Sequence, residues 1–272
     1  MATPLLLDTV AALRTWRRGL RAEGASLAFV PTMGKLHEGH LDLMRLARKH
    51  ADQLLVSVFV NPTQFGPGED YAAYPRDLAA DLAAMASLAP EACFAPAATA
   101  IYPPGDRTTV SVNWGLDRLC GATRPGHFDG VTNVLARLFN LVEPDTVILG
   151  QKDAQQALIV KRMVDALHWP LRLRLAKAGG ETDRAAGAHG RQRAHRFDGS
   201  IAVDADKGGV RCVWELGYLA KGWKAGDGFA RGMNRPDAAF EADLAALLDD
   251  VGAPNATADY GYRARLEQPV DA

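Results

Sequence analysis

The sequence predicts a doubly wound α/β domain on a parallel sheet, followed by a smaller, atypical C-terminal domain. Three observations carry that expectation. Short apolar runs alternate with helix-length segments of 3.6-residue period over the first two-thirds of the chain. Polar, glycine-bearing segments follow the ends of those runs, and from about Lys177 both periods are lost. Strands separated by helices of this length pair in parallel, with right-handed crossovers.

The elements follow in order. Val10, Leu13, Trp16 and Leu20 recur at helical spacing. "SLAFV" (26–30) is a short apolar run ending at Pro31, which suits a buried parallel strand. Leu43, Leu46 and Ala47 give a helical face after His40. "QLLVSVFV" (53–60) is a second strand, ending at a Pro- and Gly-rich loop. Residues 78–89 read as a helix, 92–97 as a third strand, and 108–112, "TTVSV", as a β-branched segment. Val131, Leu135, Leu138, Phe139 and Val142 mark another helix, and 145–150 a fourth strand. Ala157, Val160, Met163, Val164 and Leu167 form the helix after it. Ligands of such sheets bind beyond the carboxyl ends of the strands. The segments after Val30, Val60 and Leu149 lie at such ends, so their polar residues are expected on one rim.

Bulk properties narrow the function classes. In 272 residues, 48% are apolar, 23% are charged and the formal net charge is −1. No basic excess points to nucleic acid or an anionic membrane. The N-terminus lacks a signal-peptide layout, and no apolar run reaches the ~18 residues of a membrane span. Cys93, Cys120 and Cys212 are widely spaced and odd in number, implying neither a disulfide framework nor a zinc site. A reducing, cytoplasmic location is expected.

His37 and His40 fall where a strand gives way to a helix. A helix N-terminus offers free N–H groups and the positive end of a dipole, which favour phosphates. Two imidazoles three apart share one side of that first turn and can donate to phosphate oxygens. Gly34 and Gly39 let backbone approach a nucleotide closely. "GQKDAQQ" (150–156) follows another strand end. Lys152 is a mobile charge suited to phosphate, Asp153 can cap the next helix, and Gln155 and Gln156 bring amides that read hydroxyls and carboxylates. Asn61 and Gln64 stand at the second strand end, with turn formation as their alternative role. Arg124 is a candidate holder of an anionic substrate, and His127 a residue packed at a helix entry. Asp81 is a candidate for Mg²⁺ carried with a nucleotide, with a solvated helix face as its alternative.

"PTMGKLHEGH", "FVNPTQFGPGEDYAAYPRD", "RPGHFDGV", "LFNLVEPD" and "GQKDAQQ", in this order and spacing, closely resemble the pantoate–β-alanine ligase (pantothenate synthetase) family over roughly residues 1–175. The resemblance implies a Rossmann-like nucleotide- and pantoate-binding domain over 1–175 and a lid-like domain over 176–272. It implies an ATP-dependent ligase of the HIGH-motif nucleotidyltransferases, a cytoplasmic homodimer in coenzyme A biosynthesis. In that family pantoate's carboxylate attacks the α-phosphate of ATP, and β-alanine's amine then displaces AMP from the adenylate. Carried over by motif, Pro31, Thr32, Met33, Gly34, Lys35, Leu36, His37, Glu38, Gly39 and His40 bind nucleotide, as do Gly150, Gln151, Lys152 and Asp153. His40 takes the proton-donor position, with His37 and Lys152 beside it on the phosphates. Gln64 and Gln156 hold pantoate, with Asn61 and Arg124 as further candidates, and Gln64 also lies near β-alanine. Mg²⁺ accompanies ATP.

The resemblance stops short of the C-terminus. Residues 179–235 carry 12 of the chain's 26 glycines and no sustained period, apart from a possible strand at "VRCVWEL". Glycine costs about 1 kcal/mol relative to Ala in a helix interior, so long helices are not expected there. The family's Ser-Ser-Arg-Asn loop, which closes over the phosphates, does not occur in this sequence. Arg191, Arg193 and Arg196 are the nearest cations. A frame-shifted or scrambled stretch over about 178–235 and a truncated C-terminal domain are therefore expected, and with them weak or absent ligase activity. A helix returns at Pro236, with Phe240, Leu244, Leu247, Leu248 and Val251 on one face. Two other readings compete: a different nucleotidyltransferase of the same superfamily, and a non-catalytic nucleotide-binding or dimerisation module.

Overall fold

A computed structural model describes residues 3–66, 69, 71–117 and 119–176, together with the backbone of strands 200–204 and 209–213. The chain divides into two compact units, 1–192 and 193–272. In the first, strands β1 (Leu5–Leu7), β2 (Leu27–Thr32), β3 (Gln53–Val58), β4 (Ala92–Phe94), β5 (Thr146–Gly150) and β6 (Arg172–Ala176) form one parallel sheet. Their order is β1-β4-β3-β2-β5-β6. From β2 the chain builds outward through β3 to β4, then returns to the other side of β2 with β5 and β6. That is the doubly wound, Rossmann-like order, with its switch point between β2 and β5.

The helices are α1 (Val10–Ala22), α2 (Glu38–Ala47), α3 (Leu78–Met85), α4 (Ala98–Ile101), α5 (Leu119–Thr123), α6 (His127–Val142) and α7 (Ala154–Ala166). Strand side chains alternate between faces, so β2 serves two cores. Ala28 and Val30 pack with Met44 and Ala47 of α2, Met85 of α3, and Val56, Cys93 and Ile148 of neighbouring strands. Phe29 turns the other way and meets Phe139 of α6 edge-on, their ring centroids 6.4 Å apart. Burial on both faces is why the central strands read as unbroken apolar runs.

Two strands of this sheet escaped the sequence pattern. β1 is three residues long with only Leu7 buried, and β6 alternates arginine with leucine at the opposite edge. Edge strands need not be apolar on both faces, so the cue that finds the central strands is missing. Conversely, residues 108–112 form no strand; the Val110 carbonyl accepts from Thr132 Oγ1 at 2.8 Å and the Thr108 carbonyl from Arg137 Nη2 at 2.6 Å. The second unit shows one antiparallel pair, β7 (Ser200–Asp204) with β8 (Gly209–Val213), the latter overlapping the strand expected at "VRCVWEL". The expected helix after Pro236 and most of the glycine-rich stretch lie outside the described residues, as does any lid-like role. No described helix is long and apolar enough to cross a membrane.

Arg17 closes the amino-end rim. Its side chain is buried, with Nε 3.2 Å from the Val142 carbonyl and Nη2 2.8 Å from that of Glu143, at the C-terminus of α6. Asp145, which accepts from Leu27 N at 2.7 Å, sits 3.5 Å from the same Nη2. A cation there meets the negative end of the helix dipole and its unpaired carbonyls. Replacing Arg17 with Met leaves those carbonyls unpaired, and urea unfolding is expected to show a loss of about 2 kcal/mol. Arg18→Ala, at an exposed position of the same helix, serves as the control and stays within about 0.5 kcal/mol.

Candidate functional site

The loops leaving β2 and β5 are neighbours at the carboxyl rim. After β2, Gly34 turns at φ +84, and the next residue, Lys35, takes φ +53, a left-handed conformation that side chains avoid. A buried carboxylate holds this turn. Asp81 Oδ1 accepts from Leu36 N at 2.7 Å and Oδ2 from Lys35 N at 3.2 Å. A side chain at Gly34 would bring its Cβ 2.7 Å from Asp81 Oδ2, so only glycine fits. The Mg²⁺ role considered for Asp81 gives way to this one, because both oxygens are turned inward onto backbone. Among the described residues no three His, Cys, Asp or Glu side chains come together as a metal site.

The turn delivers His37 to the N-cap of α2. Its Nδ1 accepts from Gly39 N at 3.1 Å, and His40 Nδ1 reaches back to accept from His37 N at 3.4 Å. Two imidazoles thus do the work usually given to a Ser and a Glu in a reciprocal cap. The rings lie 4.2 Å apart, centroid to centroid. A neutral ring that accepts through Nδ1 carries its proton on Nε2. Each histidine therefore carries its ring proton on Nε2, beside the positive end of the helix.

His40 is half-buried, and its pKa is pushed down to about 3, first by burial, then by His37 and Lys152. Lys152, exposed in the turn Gln151–Asp153 after β5, is thus close enough for its charge to act on His40. The histidine pair and the lysine thus follow the ends of two neighbouring strands, β2 and β5. Asp153 stands at the N-cap of α7 but makes no capping hydrogen bond, contrary to expectation, and burial raises its pKa. Gln151 is buried, with neither amide atom hydrogen-bonded to the described residues. Sequence reasoning placed it only within a run, since burial of one amide among several polar neighbours leaves no pattern.

The β3 end is built differently. Asn61 is buried; its Nδ2 donates to the Gly130 carbonyl at 3.0 Å and to Gln64 Oε1 at 3.2 Å, and its Oδ1 accepts from Tyr102 OH at 2.8 Å. Its polar atoms are turned to bracing the turn Pro62–Gln64. Gln64 Nε2 reaches Met33 Sδ at 2.9 Å, which joins the β3 and β2 ends. Gln155 is engaged as well, accepting from Cys120 N at 3.0 Å and donating to the Gly115 carbonyl at 2.8 Å. Gln156 is half-exposed on the first turn of α7. Arg124 does not present an open fork to an anion. It grips Glu69 through Nε to Oε1 at 2.8 Å and Nη2 to Oε2 at 2.7 Å.

A parallel, doubly wound sheet with a histidine-capped helix at its switch point defines a class, the α/β proteins that take a ligand at the carboxyl rim. The family is more specific. A family model described as pantoate-beta-alanine ligase matches residues 5–188, and the chain belongs to that family. It is 53% identical over 168 residues to the pantothenate synthetase of Moorella thermoacetica, covering 62% of this chain and 59% of that protein. The Heliobacterium modesticaldum enzyme is 50% identical over 166 residues, covering 61% and 59%. The matched part thus spans about three-fifths of the length of these curated relatives. Among solved structures, pantothenate synthetase from Thermus thermophilus aligns with TM-score 0.60 at 45% identity, over 64% of this chain and 61% of that one. Pantoate-beta-alanine ligase from Francisella tularensis, complexed with beta-gamma ATP and beta-alanine, aligns with TM-score 0.62 at 33% identity, over 66% and 69%.

Two outcomes test this geometry. In the free protein the His40 ring resonances should stay flat from pH 8 to pH 4 and titrate with a midpoint of about 3. Because the folded value lies below the unfolded 6.5, His40 costs stability progressively as pH falls from 6.5 toward 3. Asp81→Asn removes one backbone acceptor and the charge. The Lys35 and Leu36 amides should then exchange with solvent at least ~10-fold faster, about 1.4 kcal/mol of lost protection, while β3 amides are unchanged.

Proposed function

We propose that this chain serves the ATP-dependent condensation of pantoate with β-alanine. What supports the reading above all is the reciprocal histidine cap, which puts the ring protons of both residues on Nε2 at the N-terminus of α2, next to the strand end that carries Lys152. ATP is taken as its Mg²⁺ complex, the ion travelling on the phosphates as part of the substrate. The N-terminal amides of α2, His37, His40 and Lys152 hold the phosphates, within a nucleotide site formed by Pro31–His40 and Gly150–Asp153. Gln64 and Gln156 hold pantoate. One carboxylate oxygen of pantoate attacks the α-phosphorus, and the bond to pyrophosphate breaks. His40 supplies a proton or hydrogen bond where charge grows on the departing phosphate, a form of stabilisation aimed at the transition state. The amine of β-alanine then attacks the acyl carbon, the bond to AMP breaks and the nitrogen releases a proton. A homodimer in the cytoplasm belongs to the same proposal, on the family's resemblance.

A second reading, a non-catalytic nucleotide-binding or dimerisation module, is favoured by one fact: Ser-Ser-Arg-Asn does not occur in this sequence. Loss of one such phosphate donor commonly costs ~3–4 kcal/mol of barrier. Calorimetry with ATP and pantoate, paired with an assay of AMP release, separates the two. We expect ATP to bind, and AMP to form only when β-alanine is added, at less than ~1 s⁻¹. Binding without any AMP selects the module. Turnover of ~1 s⁻¹ or more shows that the missing tetrapeptide is dispensable.

A further inference from the structure

The sequence around Arg124 and His127 does something other than touch an anion. His127 is buried, with Nδ1 3.0 Å from the Gln64 carbonyl oxygen and Nε2 3.3 Å from Arg124 Nη1. A carbonyl only accepts and a guanidinium only donates, so the ring proton sits on Nδ1 and the Nε2 lone pair faces Arg124. Burial lowers the His127 pKa, against the Gln64 hydrogen bond, which favours the charged ring; Arg124 adds to the lowering. The hydrogen bonds therefore run one way, with Arg124 donating to Glu69 and to His127, and His127 donating to Gln64.

The far end of this relay is also tied down. Glu69 Oε2 accepts from Gly66 N at 3.2 Å, so the carboxylate that grips Arg124 closes the turn just after Gln64. On the helix side, a Cβ at Gly130 would overlap the Thr63 carbonyl and lie 2.6 Å from Gln64 Cα. Helix α6 thus presses directly on the turn that carries Gln64. Asn61 holds the start of that turn to the Gly130 carbonyl, and His127 holds its end.

We propose that Arg124 and His127 are positioning residues for Gln64: by fixing its main-chain carbonyl, they fix where its side-chain amide meets the carboxylate or hydroxyls of a small hydroxy acid. The inference rests on the ligase reading for the identity of that acid, and on the relay geometry for the rest. Neither residue contacts the substrate.

The test uses the full chain and two substitutions. His127→Phe keeps a ring but loses both hydrogen bonds. His127→Asn can place an amide N–H where Nδ1 stands and so restores the bond to Gln64 alone. Calorimetry should show His127→Phe binding pantoate at least ~10-fold more weakly, with ATP affinity within about twofold of the parent, and His127→Asn recovering most of the loss. A general weakening of the fold would lower both affinities together and would not be rescued by Asn. That pattern, or unchanged pantoate binding in His127→Phe, overturns the proposal. If the parent takes up ATP but no pantoate, the ligase reading fails, and the Gln64 side-chain amide resonances decide the positioning claim. They should match the parent in His127→Asn and move toward free-amide values in His127→Phe, and no movement in the latter sinks the claim.

Discussion

The Asp81 carboxylate, buried at the start of α3, fixes the loop that carries the chain from β2 to α2. The rest of the rim depends on that contact. It holds Gly34 and Lys35 in left-handed backbone conformations, which swings the following residues back toward the sheet. His37 then arrives at the N-cap, and His40, one turn later, closes the reciprocal cap. Had the loop relaxed, the imidazoles would face solvent independently, and neither Nδ1 would be committed to backbone. The commitment of Nδ1 is what puts the ring proton on Nε2 in both residues.

The electrostatics of the crevice follow from what is gathered there. His37 and Lys152 both disfavour a proton on His40, and burial disfavours it more. Asp153, the nearby carboxylate, is itself pushed toward its neutral form by burial. His37 and Lys152 thus set a positive field at His40. An arriving phosphate would reverse the sign of the field at His40 and favour the imidazolium. A histidine neutral in the empty site and more basic in the filled one is suited to handing a proton to a departing phosphate.

Much of this could be read in the sequence, and the rest was hidden for physical reasons. The central strands announce themselves because they are buried on both faces. β1 and β6 are edges, one very short and one carrying arginines, and edge strands give no such signal. His37 and His40 share the N-cap turn of α2 and Lys152 lies in the turn after the neighbouring strand β5, an arrangement that strand ends and loop order lead one to expect. Asn61, Arg124, Gln155 and Asp81 are the corrections. Each is a polar residue beside a strand end or a helix start, as a ligand-binding residue would be. Whether its polar atoms are open is decided by partners 35 to 69 positions away: Tyr102 and Gly130 for Asn61, Glu69 for Arg124, Gly115 and Cys120 for Gln155, Lys35 and Leu36 for Asp81. No local pattern records contacts of that range.

Those corrections share a direction. The acceptors near the rim, namely the Asp81 and Glu69 carboxylates and the Asn61 amide oxygen, are each held by backbone N–H groups, by Arg124 or by a hydroxyl. Gln64 turns its own amide oxygen toward Asn61, which leaves its Nε2 with Met33. The donors near this rim among the described residues are the His37 and His40 imidazoles, the Lys152 ammonium and the Gln64 amide nitrogen, the last held against Met33 Sδ at 2.9 Å. Buried carboxylates ordinarily demand such partners, so engaging them internally lowers the cost of burial. The residues that looked like ligand contacts and prove to be braces fix the turns of the rim instead: Asp81 the turn after β2, and Asn61 and Arg124, the latter through Glu69, the turn after β3.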